Sequence, residues 1–72
     1  MALSTRSRIP ARITEVVKGE AAARVSLQSG ESQMVALITR ASADELGLEV
    51  GQRVTALIKA TDVMIMTEEG VA

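Results

Sequence analysis

The 72-residue chain has no cysteine, no histidine, and no phenylalanine, tyrosine or tryptophan. Without thiols it cannot be stapled by disulfides, and without thiolates and imidazoles it lacks the usual ligands of transition-metal sites. The missing aromatics remove the stacking platforms that hold single-stranded nucleic acid. Proline occurs once, at Pro10. No apolar run approaches the roughly 18 residues that suggest a membrane span. The N-terminal "MALSTRSRIPAR" has no hydrophobic core of signal-peptide length, so cytoplasmic residence is the expectation. Eight basic and nine acidic residues leave a net charge of −1, with no like-charge run longer than Glu68-Glu69. Proteins that bind nucleic acid normally show a basic excess or stripe. Neither nucleic acid nor membrane is an expected partner.

Aliphatic residues are abundant: 47% of the chain is hydrophobic, supplied by Val, Ile, Leu, Ala and Met. One domain over residues 1–72 is the natural reading. A domain this small buries only about 60% of its unfolded surface and is marginal alone. Lacking staples, it is expected to gain stability as a homo-oligomer.

The apolar residues have a strand's period. "RIPARITEVVKG" alternates at Ile9, Ala11 and Ile13, with Pro10 tolerated near the start of a strand or on an edge. "AAARVSLQSGE" sets Ala23, Val25 and Leu27 against Arg24, Ser26 and Gln28, and Ser29-Gly30 signals a turn. "SQMVALIT" is apolar on both faces, which suits a strand covered on both sides or at a subunit contact. These last two runs predict a hairpin. The period then changes. In "TRASADELGLEVGQ", Ser42 to Glu45 reads as a capping box, which makes Ser42 the N-cap, with Leu46 packed inward and Gly47 ending the helix in a left-handed conformation. Gly51-Gln52 turns into "RVTALIKA", where Val54, Ala56 and Ile58 share one face and Thr55, Leu57 and Lys59 the other. "DVMIM" is predicted as the last strand, with 67–72 a frayed tail. Three strands, a short helix and two strands is the element order of the OB-fold, so the expected class is all-β: a five-stranded OB-like barrel with one short helix.

Chemistry has few places to reside. Ser4 or Ser42 with Lys59 could in principle form a Ser-Lys nucleophilic pair, but no oxyanion motif accompanies them. The acidic residues are scattered, and no enzymatic activity is expected. Polar residues at element ends suit an oxyanion better: Ser4, Thr5, Arg6 and Ser7, then Thr39 and Ser42, then Lys59 and Thr61. Two cations, several hydroxyls and backbone N–H groups can hold a tetrahedral dianion without a metal or a titrating base. Each also has a plainer role. Ser42 can simply cap its helix, Thr39 can be a β-branched strand residue, and Lys59 can extend to solvent at a strand end. The methionines of "VMIM" read as core or interface, since thioethers alone are a poor ligand set.

"STRS" at 4–7, "VVKG" at 16–19 and "ALITRASADELGLEVGQRVTALIKATDV" at 36–63 together resemble the molbindin family, the small molybdate-binding (Mop) domains. The pair "ITxxSAxxLGL" and "VTALIKAT" carries most of the likeness. The resemblance implies an OB-like barrel assembled as a hexamer, a trimer of dimers, with molybdate or tungstate at subunit interfaces and no organic cofactor. It implies that Ser4 and Arg6 reach the anion from the N-terminal segment. Thr39 and Ser42 would donate from the strand-to-helix turn, and Lys59, Ala60 and Thr61 would complete the shell. Lys18 and Gly19 would belong to a second kind of site. None would bond a metal directly. The chain departs from the family at Ser7, where Asn is usual, at Pro10-Ala11, where a small Gly is usual, and at Glu20, a carboxylate that would repel a dianion near the second site. The role implied is intracellular storage and homeostasis of the oxyanion without turnover, since no DNA-binding or ATPase segment accompanies the domain. The alternative is a ligand-free oligomeric β-barrel that regulates a partner.

Overall fold

The computed structural model describes residues 6–72, with side chains from residue 7. Strands β1 (Arg6–Lys18), β2 (Ala22–Ser29) and β3 (Ser32–Thr39) precede helix α1 (Arg40–Leu46), and β4 (Arg53–Lys59) follows it. A 3-10 turn at Ala60–Asp62 leads to two short strands, β5 (Met66–Thr67) and β6 (Gly70–Val71). The main sheet is antiparallel, in the order β3-β2-β1-β4. Among the described residues, no helix is long and apolar enough to cross a membrane.

β1 organises the sheet because it serves two partners in succession. Its residues 6–12 pair with β4 and its residues 12–18 with β2. Between Ile13 and Glu15 the register shifts, and Thr14 is the extra residue of a bulge. A bulge bends its strand and raises the local twist, which lets one strand pass from one neighbour to the other. Pro10 sits where β1 is laddered on one side alone, opposite Thr55, so its missing N–H costs no ladder bond on the other side. The β2–β3 hairpin turns through Gly30 and Glu31, with Ser29 opposite Ser32. Gly30 has φ +59°, which suits glycine.

The predicted faces are found. Ile13, Ala23, Val25 and Leu27 are buried with Ala11, and Met34, Ala36, Ile38, Leu48, Val54 and Ala56 pack around them half-exposed. The core is open on one side. A groove of about 720 Å³ runs between β3 and β4, walled by core residues such as Val25, Ala36 and Ala56.

Three expectations need correction. "DVMIM" is not the last strand of the sheet: Val63 to Ile65 join no strand of the main sheet, and only Met66 enters a two-residue strand. The 3-10 turn after Lys59 leads the chain out of the sheet, so among the described residues the main sheet holds four strands. The tail, expected to fray from residue 67, instead closes a small hairpin. Met66 pairs with Val71, and Ile65 and Ala72 exchange both backbone bonds. Leu46 does not pack inward but is 65% exposed at the mouth of the groove. The helix has seven residues, and Ala43 is the one it buries.

Candidate functional site

The strand-to-helix turn is ordered by its own hydroxyls. The N-cap of α1 is Thr39, not Ser42: its backbone is extended and its Oγ1 accepts the Ser42 N–H at 3.0 Å. The helix begins at Arg40, before the Ser-x-x-Glu pattern, and this moved the cap three residues upstream. The Thr39 hydroxyl in turn donates to Ser42 Oγ at 2.7 Å. The Ser42 hydroxyl proton has no protein acceptor among the described residues and remains available to a ligand. At the far end Gly47, at φ +62°, closes a Schellman motif. Its N–H reaches Asp44 O and the Leu48 N–H reaches Ala43 O.

Lys59 is the last residue of β4, exposed, on the outward face with Thr55 and Leu57. Its ladder partner is Arg6, the first residue of β1. Register therefore brings together the two predicted cations from opposite ends of the sequence. Ala60 and Thr61 follow at once in the 3-10 turn, both exposed. Among the described residues Lys59 makes no ion pair. Ser4 lies outside the described residues.

The two groups are not adjacent along the sheet. Thr39 pairs with Ala22, next to the Lys18 end of β1, whereas Lys59 pairs at the Arg6 end. All thirteen residues of β1 lie between them, and they occupy opposite edge strands.

Lys18 and Gly19, expected at a second site, are engaged locally. Lys18 Nζ contacts Asp44 Oδ1 at 2.8 Å, and Arg40 Nε contacts Asp44 Oδ2 at 2.9 Å. Arg40 also donates to Gly19 O at 3.1 Å, and the Gly19 N–H reaches Ala22 O at 2.8 Å. Asp44 thus clamps the β1–β2 turn to α1. The hydrogen bonds from Lys18 and then Arg40 hold its carboxyl below the ordinary value. Sequence reasoning considered Glu20 as the carboxylate beside this turn and missed Asp44. The i, i+4 spacing of Arg40 and Asp44 was the available signal.

The donor set has a definite chemistry. Hydroxyls, backbone N–H groups and cations suit an anion's oxygens. Among the described residues no three Asp, Glu, His or Cys side chains cluster to hold a metal ion.

The TOBE domain family profile matches residues 3–65. Molybdenum-pterin-binding protein 1 of Clostridium pasteurianum is 36% identical over 67 residues, covering 92% of this chain and 98% of its own. The molybdenum import ATP-binding protein ModC of Brucella abortus is 41% identical over 63 residues, covering 86% of this chain but 18% of its own length. Among solved structures, a molybdate-binding protein from Sporomusa ovata superposes with a TM-score of 0.85 at 36% identity, covering 93% of this chain and 100% of that one. MopII from Clostridium pasteurianum superposes with a TM-score of 0.83 at 33% identity, covering 92% and 100%. Fold, motif spacing and near full-length similarity agree: the chain belongs to the TOBE-domain family and, within it, to the molbindins.

Proposed function

We propose that this protein binds molybdate, or the similarly sized tungstate, as an intact dianion at sites shared between copies of the chain, and holds it in the cytoplasm as a store without chemical turnover. The Sporomusa ovata neighbour is a molybdate-binding protein and the Clostridium pasteurianum relative a molybdenum-pterin-binding protein, which supports the ligand class. The observation that carries the shared site is the separation of the donors. Thr39 and Ser42 lie at one end of β1, and Lys59, Ala60 and Thr61 at the other. One chain presents two half-shells, and a second copy supplies the missing half of each. Arg6 and Ser4 would join the Lys59 half from the N-terminal segment.

Association has a physical drive. The groove leaves core side chains uncovered, and Val63, Met64, Ile65 and Met66 are all exposed. Covering such surfaces in a hexamer of three dimers would complete the barrel that one chain leaves open. Lys18 and Gly19 would join a second site only if a dianion displaced Asp44 from Lys18.

Calorimetric titration with molybdate tests the site. A charged hydrogen bond contributes about 1.5–3 kcal/mol, so Lys59→Ala and Arg6→Ala should each weaken binding by roughly 10- to 150-fold. Unchanged affinity in both would refute it. Mixing Lys59→Ala and Ser42→Ala chains tests sharing. A hybrid pair rebuilds one intact site from the undamaged half of each chain, so binding should partly recover, whereas a site built within one chain would not.

A further inference from the structure

Charge is unevenly divided between the strands and their connections. Seven of the eight basic residues lie on strands, yet Glu15 is the one strand residue among nine acidic ones. Alternation then sorts the cations by face. Ala11 and Ile13 are buried in the core, so Arg8 and Arg12 lie on the outward face of β1, beside Arg53 and Lys59 of β4.

Arg12 and Arg53 are direct cross-strand partners. Like charges placed opposite each other destabilise a sheet, and no ion pair among the described residues relieves them. Neither guanidinium reaches a carboxylate among the described residues, and Glu15 is engaged by Arg24 at 3.4 Å. The two arginines border an outward recess of about 420 Å³ with Gln28, Ser29 and Thr14. Those three side chains donate within the protein: Gln28 to Gly30 O at 2.7 Å, Ser29 to Pro10 O at 2.8 Å, and Thr14 to Ser26 O at 3.3 Å. They fix the walls, and the guanidiniums are left without a protein acceptor among the described residues. Arg12 is also laddered on both sides, to Arg53 and to Gln28, so its backbone is held at the bend of β1.

We propose that the Arg12–Arg53 rung is a separate oxyanion site that takes a free tetrahedral dianion of the sulfate, phosphate or molybdate class. Each guanidinium fork can grip a pair of oxygens, and two negative charges neutralise both arginines. The rung lies six residues along β1 from the Arg6–Lys59 pair, about 20 Å of strand, so the two sites do not share donors.

The test is thermal melting of the full chain carrying Lys59→Ala, at pH 8 and constant ionic strength, with chloride replaced by sulfate, inorganic phosphate or molybdate. Binding to the native state raises the melting temperature. A rise of about 2–5 °C with each dianion is expected, given the sensitivity of domains this size. Adding Arg53→Gln or Arg12→Gln should abolish the rise. Arg53→Glu should abolish it too, and should melt higher than the parent in chloride, because attraction replaces repulsion across the rung. Arginine Nε resonances of residues 12 and 53 should shift on titration. Equal melting in dianion and chloride, or a rise that survives Arg53→Gln, would overturn the proposal. Neither result bears on the Lys59 site, whose own failure is unchanged molybdate affinity in Lys59→Ala and Arg6→Ala.

Discussion

Asp44 shows how one exposed carboxylate can fix local geometry. It receives Lys18 from the end of β1 and Arg40 from its own helix, and both hold its carboxyl below the usual range. A depressed carboxylate contributes stability that is present above its unfolded value and is lost as pH falls through its folded value. The clamp should therefore persist at pH 5 and release only at a pH below that at which a free aspartate, at about 4, protonates. Carbon-13 chemical shifts of the Asp44 carboxyl, followed from pH 6 to pH 2, should show a midpoint below that of a free aspartate and should return toward it in Lys18→Ala. Thr39 is a second residue with a separable role. Thr39→Ala removes the cap and should cost about 1 kcal/mol, whereas Thr39→Ser should retain most of it. Comparing the two by urea melting and by molybdate titration separates capping from ligand binding.

At the scale of elements, β1 and its bulge determine the shape. The bend at Thr14 hands the strand from β4 to β2, and Ile13, 1% exposed, anchors the bend in the core. Ile13→Ala should cost about 2–5 kcal/mol and leave the chain largely unfolded, read by circular dichroism. The alternation of Val25, Leu27, Val54 and Ala56 was legible in the sequence because a half-buried strand imposes a period of two. The hairpin at Gly30 and the helix stop at Gly47 were legible because each needs a positive φ. The last strand was not. Val63 to Met66 are as apolar as any strand here, but hydrophobicity does not specify a partner, and the 3-10 turn at Ala60–Asp62 turns them out of the sheet. The N-cap was misplaced because Thr39 and Ser42 both satisfy the capping preference. Only the start of the helix distinguishes them.

The whole molecule exposes 5923 Å², against about 4,300 Å² expected for a folded monomer of its mass. Its radius of gyration is 13.9 Å, where a compact chain of this length gives about 11 Å. The excess, about 1,600 Å², is about twice what one partner buries in a standard interface. The protein should therefore sediment as an oligomer, and Ile65→Asp should shift it to smaller species and weaken molybdate binding together. The candidate residues could be chosen by type and position, but their arrangement was not legible. That Lys59 faces Arg6, and that both lie a full strand from Thr39, follows from register. The basic outer face was hidden as well, since Arg8 and Arg12 of β1 and Arg53 and Lys59 of β4 are separated by uncharged residues and form no run in the sequence, and a net charge of −1 averages them away.

Met64 and Met66 are 72% and 78% exposed on the arm that follows the 3-10 turn, whereas Met34 is half-buried beside the core. Peroxide converts a thioether into a polar sulfoxide. In the proposed assembly an oxidised arm would no longer seat in an apolar contact, so peroxide treatment should shift the protein to smaller species and release bound molybdate, and methionine sulfoxide reductase should reverse both.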